Sequence, residues 1–212
     1  MRTKHTTITA TALLALATLT ACTPTNNENP NQTQTQTQTT NPTPTNTTDN
    51  TEPIKSDPPK TEQEATQHAE QALQTWLTIE GDIRSNTPND TSRAPQYATG
   101  QELKDLDENI RLANENGFDF DGQVTITIDS NQSTTTPRNN GDQQMEFASV
   151  HLYGCGDIST LGGVSTKTGE PIKYEGDSKS HPLHINVIYD PPTKTWLVNS
   201  SEKDWENKDT RC

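Results

Sequence analysis

Residues 147–157 read Phe-Ala-Ser-Val-His-Leu-Tyr-Gly-Cys-Gly-Asp, and this stretch decides the fold class. Small and aliphatic side chains at positions 148, 150 and 152 alternate with Ser149, His151 and Tyr153. Because successive side chains of a β-strand point to opposite faces, this alternation predicts a strand with one buried face. A sheet is therefore expected, and the flanking sequence should supply its other strands.

Other stretches have the same period. Apolar side chains alternate with polar ones in residues 124–128 and, less strictly, in residues 183–189. The second stretch leads through a Pro-Pro turn into Thr195–Val198, which predicts a hairpin. We interpret Asp119–Gly122 as a turn at the start of a strand. One more strand is expected near Ile172–Glu175, within a stretch rich in glycine and charge.

Two amphipathic helices precede the strands. Thr61–Glu64 and Thr99–Glu102 both fit the capping box, in which the first and fourth residues satisfy each other's free backbone N–H groups. Apolar residues recur at helical spacing behind each box, and Asn116–Gly117 supplies a left-handed stop. Helices followed by antiparallel strands predict an α+β fold. The apolar stripes are Ala65, Ala69, Ala72, Leu73, Trp76, Leu77 and Ile83, and then Leu103, Leu106, Ile110 and Ala113.

Residues 61–212 form one domain of ordinary size with a lean core and an acidic surface. They contain 25 Asp and Glu against 12 Lys and Arg, and Leu, Ile, Val and Phe supply less than a fifth of them. Such a composition alone would indicate disorder, but the local periodicity indicates folding. The negative charge excludes nucleic acid as a partner, because phosphates would be repelled, and permits cationic partners.

The first 21 residues have the features of an export signal. Met1–His5 is cationic, and Ile8–Leu19 is a mildly apolar run. A transmembrane helix needs about twenty apolar residues, so this run is too short to span a bilayer. A cationic start followed by a short apolar run is typical of a secretory signal peptide.

Leu19-Thr20-Ala21-Cys22 resembles the lipobox of bacterial lipoproteins, which has an aliphatic residue, two small residues and a cysteine. The resemblance implies that Cys22 receives a diacylglycerol group and that residues 1–21 are then removed. The protein would be held by this lipid at the outer face of the cytoplasmic membrane, in the cell envelope. The alternative is an ordinary signal peptide cleaved after Ala21, for which Leu19 fits poorly at its position.

Residues 22–60 are expected to be a disordered tether that starts at the lipidated Cys22. Thr, Asn, Gln and Pro supply 30 of the 38 residues from Thr23 to Lys60, and Ile54 is the one clearly hydrophobic side chain. Such a segment cannot bury enough apolar surface to offset the entropy of ordering. The Gln-Thr alternation of Gln32–Thr39 could instead form β-aggregates, although flanking prolines oppose this.

Residues 61–212 resemble small actinobacterial lipoproteins that adopt the nuclear-transport-factor-like, or ketosteroid-isomerase-like, cone. The resemblance is carried by the order of elements and by Cys155-Gly156-Asp157, Trp196-Leu197-Val198 and Cys212. It implies two helices packed on a curved antiparallel sheet. It implies little about activity, since this fold hosts many unrelated functions.

The chain has three cysteines. If Cys22 carries the lipid, Cys155 and Cys212 remain, and outside the cytoplasm these two should form a disulfide. The alternatives are a free reactive thiol and an intermolecular bridge.

The sequence predicts no metal, cofactor or nucleophile site. We expect no deeply buried, unpaired carboxylate in residues 61–212, and any cavity to be lined mostly by Leu, Ile, Val and Trp. Trp76 and Trp196 are predicted in the core, and Trp205 is predicted to be exposed. The cone can nevertheless bury an acid beside a tyrosine, as isomerases do. The candidates for such a site are Tyr97, Asp119, Asp121, His151 and Tyr153.

Two functional hypotheses follow. The first is a membrane-anchored, non-enzymatic domain that binds a protein, a cell-wall component or a small ligand. The second is a small pocket enzyme of the isomerase or dehydratase type. A buried acid with a raised pKa in a deep apolar pocket would favour the enzyme, and an exposed apolar patch would favour the binding domain. A structural role within an envelope assembly is a further alternative.

Overall fold

A computed structural model describes residues 51–86, 89–172 and 180–203 together with Cys212. All of them belong to one compact unit, Asn46–Cys212. The predicted signal peptide, Cys22, the predicted tether up to residue 50 and Trp205 lie outside the described residues. The elements, in order, are α1 (Glu62–Ser85), a 3-10 turn (Ala94–Gln96), α2 (Gly100–Asn116), β1 (Phe118–Asp121), β2 (Thr125–Ile128), β3 (Thr134–Asn140), β4 (Gln143–Asp157), β5 (Gly162–Ser165), β6 (Ser180–Asp190) and β7 (Thr195–Lys203).

The α+β class is confirmed, with two helices followed by antiparallel strands. The main sheet has the order β2-β4-β6-β7, and β3 also pairs with β4. The 15-residue β4 carries both β2 and β3, since β3 pairs with its first part and β2 with its last four residues. β1 and β5 form a separate two-stranded sheet.

The core lies between α1 and the helix-facing side of the main sheet. Its largest fully buried side chains include Trp76 of α1 and Tyr189 and Trp196 of the sheet. The rings of Tyr189 and Trp196 lie 5.5 Å apart, a distance typical of favourable aromatic pairs. The helix-facing residues 148, 150 and 152 of β4 are all buried, as their alternation predicted.

The two helix starts differ in a way that the sequence pattern did not predict. Thr61 caps α1 by accepting a hydrogen bond from Glu64 N, although the Glu64 carboxylate accepts from Lys60 N rather than from Thr61. At α2 the capping-box prediction is wrong. The Thr99 side chain makes no capping hydrogen bond to any described residue, and Glu102 points into the protein instead. The predicted stop at Gly117 is confirmed, with φ 73°.

The structured part of the chain begins before residue 61, which corrects the predicted tether boundary. Residues 51–57, which we call the strap, lie along the edge of β7. Trp196 N donates to Ile54 O, and Ser56 N donates to Lys194 O, both at 3.0 Å. Composition predicted disorder here, but pairing with a sheet edge satisfies backbone groups whatever the side chains are.

Three strands differ from the prediction. β1, Phe118–Asp121, covers most of Asp119–Gly122, where a turn was expected, and β5 lies in the Gly-rich stretch. β3 contains no apolar residue except Pro137, which coincides with a register shift in its pairing with β4. Most of the strand expected near Ile172–Glu175 lies outside the described residues, although Ile172 N donates to Gly163 O.

Candidate functional site

Glu102 is the one charged side chain that the fold buries among the described residues, with 7% of its surface exposed. Its carboxylate accepts a hydrogen bond from the indole N–H of Trp76 at 2.8 Å and another from the Ser201 hydroxyl at 2.8 Å. Trp76 lies on α1, Glu102 on α2 and Ser201 on β7. A single carboxyl group therefore joins three elements of the fold.

The helical period of α2 explains why Glu102 is buried. Glu102, Leu106 and Ala113 are the buried residues of this helix, and their spacings of four and seven place them on one face. Burying a carboxylate without partners would cost several kcal/mol. Hydrogen bonds to a charged group contribute about 1.5–3 kcal/mol each, so the donors on Trp76 and Ser201 offset much of this cost.

Burial raises the pKa of Glu102 above its ordinary value, because the charged form loses its hydration. The nearby Glu80 carboxylate raises this pKa further, and the hydrogen bonds from Trp76 and Ser201 oppose the increase in part. Glu102 therefore holds a proton more readily than an exposed glutamate does. A carboxyl group with a shifted pKa at the edge of a groove is a candidate functional group.

A groove of about 250 Å³ between α1 and α2 opens onto Glu102. Glu102 and Leu106 are its buried members, and the remaining side chains are more exposed. The Arg84 guanidinium is paired with Glu80 one turn away on α1. Of the eight lining residues, Leu106 is the one apolar residue, and the others are Glu80, Arg84, Glu102, Asp105, Glu108, Asn109 and Ser201.

The space continues past Arg84 and Asn109, which also line a second cavity of about 80 Å³. This cavity adjoins β1, where Phe118 is 39% exposed and its ring lies 6.4 Å from that of Phe120 in an edge-on arrangement. We call the two spaces together the interhelical groove. Its acidic end is lined by Glu80, Glu102, Asp105 and Glu108, its middle by Arg84 and Asn109, and its aromatic end by Phe118, Asp119 and Phe120.

The structure does not bring the five candidates for an isomerase-like site together at one place. The Tyr97 hydroxyl donates to Thr51 O of the strap at 2.7 Å. Asp119 is half-buried at the aromatic end of the groove, whereas Asp121 is exposed beside an open hollow that Gly81 and Gln123 also line. Neither of these carboxylates faces Tyr97 or a histidine in the described structure.

His151 and Tyr153 lie on the face of β4 that points away from the helices. The His151 ring nitrogens contact Thr136 Oγ1 at 3.4 Å and Asn186 Nδ2 at 3.5 Å. Tyr153 packs edge-on against His184, with ring centroids 5.1 Å apart. These contacts are cross-strand pairs on a polar sheet face.

Sequence reasoning missed Glu102 because its spacing from Thr99 fitted a capping box. A second signal was present, since Glu102 lies four residues before Leu106 on the apolar stripe of α2. Ser201 carried no signal, because its contact with Glu102 depends on how β7 crosses α2. The expectation that cavities would be lined mostly by Leu, Ile, Val and Trp is wrong, because the interhelical groove is largely polar.

The Sγ atoms of Cys155 and Cys212 lie 2.10 Å apart, and their Cα atoms are separated by 5.7 Å, so this cysteine pair is at disulfide distance. In the part of the chain that the structure describes, no group of three or more His, Cys, Asp and Glu could hold a metal ion. None of the described helices is long and apolar enough to cross a membrane. Trp76 and Trp196 are core residues, as predicted.

Comparisons with known proteins add little to this description. No family model and no curated protein matches the chain. Among solved structures, the chain is similar to the intermembrane space region of the chloroplast protein ARC6, with 12% identity and a TM-score of 0.44. The match covers 65% of this chain and 94% of that one. A similarity of this extent carries no argument about fold or function.

Proposed function

We propose that the chain is an exported lipoprotein, anchored by a lipid on Cys22 at the outer face of the cytoplasmic membrane. The observation that carries this proposal is the pairing of cysteines. Cys155 and Cys212 lie at disulfide distance, and the third cysteine is the last residue of Leu19-Thr20-Ala21-Cys22. Disulfides persist in oxidising compartments, which agrees with export, and the lipobox assigns the third cysteine to the lipid.

The domain beyond the tether is proposed to bind a partner, either a protein or a cell-wall component, rather than to catalyse a reaction. The helix-facing side of the sheet is occupied by Trp76, Tyr189 and Trp196, which leaves little room there for a substrate. The interhelical groove is shallow, polar and open to water. Such a surface supports recognition of a partner more than the enclosed chemistry of an isomerase.

The enzymatic alternative depends on Glu102, whose raised pKa is a property of many general bases. Each of its oxygens is held at 2.8 Å by a donor from a different element. A general base must approach the proton that it removes, and these fixed hydrogen bonds leave Glu102 better suited to a structural role. The enzyme is therefore the second candidate.

We also propose that the main sheet is curved, as in a cone-like fold. Two irregularities support it, one where β3 pairs with β4 around Pro137 and one where β7 pairs with β6 around Asn199. β-Bulges bend the strand that carries them and increase its twist. The extra residues of the first irregularity lie in β4, between Met145 and Ser149, and the extra residue of the second lies in β7, between Val198 and Ser200. Bending at these places would curve the sheet around α1.

Metabolic labelling with palmitate tests the anchor in a bacterial host that processes lipoproteins. The full chain should incorporate label and remain with the membrane, and Cys22→Ala should do neither. Cys212→Ala is the matched control, since it removes a cysteine outside the lipobox and should still be labelled. Export of an unlabelled, soluble protein that begins at Cys22 would show that an ordinary signal peptide is removed instead. Unchanged labelling of Cys22→Ala would overturn the assignment of the lipid to this residue.

A further inference from the structure

The interhelical groove has two chemically different ends on one continuous surface. Arg84 and Asn109 line both of its parts, so the acidic end and the aromatic end are adjoining. From Glu102 to Ala113 the groove follows eleven residues of α2, which at about 1.5 Å per residue is about 16 Å. An extended chain advances about 3.3–3.6 Å per residue, so about five residues of a partner would span this length.

The acidic end carries negative charge that the described residues neutralise only in part. Glu80 is paired with Arg84, and Glu108 is paired with Arg111. Asp105 accepts a hydrogen bond from the neutral Gln101 amide, and Glu102 accepts from neutral donors. Neither of these last two carboxylates has a cationic partner among the described residues. A cation that enters here would meet two carboxyl groups without a cationic partner, and it would favour the charged form of the desolvated Glu102.

The aromatic end offers apolar surface. Phe118 is one of three large hydrophobic side chains that are substantially exposed in the described part of the chain, and the only one of these three that lines the groove. Phe120 and Ile110 border the same cavity. Aromatic residues at the surface of a groove are typical anchor points for partner side chains.

We propose that the interhelical groove binds an extended segment of a partner protein, with a Lys or Arg side chain at the acidic end and an apolar side chain at the aromatic end about five residues away. This inference rests on the proposed function, since it names the partner of the binding domain. Charge complementarity selects the cationic residue, because the chain has a net charge of −13 and the groove contributes acids without cationic partners. The exposed Phe118 selects the apolar residue at the other end.

Binding of fluorescent hexapeptides to the full chain, followed by anisotropy at low ionic strength, tests the proposal. The probe is a pool with Arg or Lys at one end, Leu or Phe at the other, in both orders, and Ala or Ser between, with both termini blocked. In one control pool Glu replaces the cation, and in the other Ser replaces the apolar residue. The first pool should bind measurably more tightly than either control, and added salt should weaken its binding.

Matched variants locate the site. Asp105→Asn should weaken binding of the first pool about twofold to fivefold, as expected for a partly exposed charge pair. Phe118→Ser should weaken it about fivefold through lost apolar contact. Asp107→Asn and Leu112→Ser are the controls, because both residues are exposed on α2 outside the groove, and Leu112 is 41% exposed. Both controls should bind as the unchanged chain does.

Equal binding of the Glu pool, or equal weakening by the control variants, would overturn the proposal. Failure of every pool to bind would also overturn it, whereas palmitate labelling at Cys22 would be unaffected and would still test the anchor. A second copy of the chain is another possible occupant. If sedimentation shows a dimer that Phe118→Ser dissociates and that the peptides do not, the groove is a self-association surface and the proposed partner is wrong.

Discussion

Replacing Glu102 by Gln should stabilise the domain at neutral and alkaline pH. The amide oxygen of Gln can accept from the Trp76 indole, and its NH₂ group can donate to Ser201 Oγ, so both contacts can be kept without a buried charge. In the natural protein the pKa of Glu102 is raised in the folded state. The folded chain therefore binds this proton more tightly than the unfolded chain, and stability falls as pH rises through the folded-state pKa.

The expected size follows from this linkage. Each pKa unit between the folded and unfolded states corresponds to about 1.4 kcal/mol of stability. At about pH 8, Glu102→Gln should therefore raise the free energy of unfolding by about 1.4 kcal/mol for each unit by which burial raises the pKa of Glu102. For a domain of this size, each kcal/mol corresponds to about 2–4 °C in melting temperature. The gain should shrink as pH falls towards about 4, where the carboxyl group of the natural protein is already protonated. Ser201→Ala should have the opposite effect and lower the free energy of unfolding by about 1–3 kcal/mol at high pH, because it leaves a buried carboxylate oxygen of Glu102 without its donor.

Urea unfolding of the full chain across this pH range measures the difference. The difference curve between Glu102→Gln and the unchanged chain removes the contributions of exposed acids such as Asp57 and Asp129, whose pKa values are lowered by their hydrogen bonds. Asp107→Asn, on the exposed side of α2, is the control and should change the free energy of unfolding by less than about 0.5 kcal/mol across the range. A Glu102→Gln variant that is less stable at every pH would refute the reasoning.

Two further predictions concern the ends of the domain. Cys212→Ser should lower the free energy of unfolding by up to about 4 kcal/mol, because a bridge between Cys155 and Cys212 closes a loop over a separation of 57 residues. Non-reducing digestion of the unchanged protein, followed by mass spectrometry, should find the two joined peptides. Ser56→Ala should cost about 1 kcal/mol in urea unfolding, because the Trp196 indole loses its acceptor at 3.0 Å, whereas exposed Ser92→Ala should leave stability unchanged. Two freely alkylated thiols, or equal effects of the two serine variants, would contradict them.

Periodicity predicted the elements whose burial depends on one apolar face. Both helices, β2, β4, β6 and the β6–β7 hairpin follow this rule, because an alternating or helical pattern has one packing solution. The strands β1, β3 and β5 do not follow it. Thr134–Asn140 pairs with β4 through its backbone, and nothing in its side chains distinguishes such a polar edge strand from a loop.

The burial of Glu102 could not be predicted from the local sequence pattern, for a related physical reason. The pattern Thr99-Gly100-Gln101-Glu102 favours a cap when the helix start is exposed to water. Here Trp76 and Ser201 approach from elements that are distant in sequence, and their hydrogen bonds take the carboxylate away from the helix start. Tertiary hydrogen bonds thus replaced a local one, and the choice between the two depends on contacts that a single sequence does not display.

The strap determines how the domain responds to mechanical load. A pull on residue 51 from its N-terminal side is borne first by the hydrogen bond from the Tyr97 hydroxyl to Thr51 O. The hydrogen bonds that Trp196 N and Ser56 N make along β7, and the contact of the Tyr189 hydroxyl with Ser56 O, bear it next. Tension therefore passes into the central sheet before it reaches Thr61 and the first turn of α1. If the chain entered directly at α1, the same force would act first on the hydrogen bond between Glu64 N and the Thr61 side chain. With the strap in place, the strands of the sheet bear the load before the helices do.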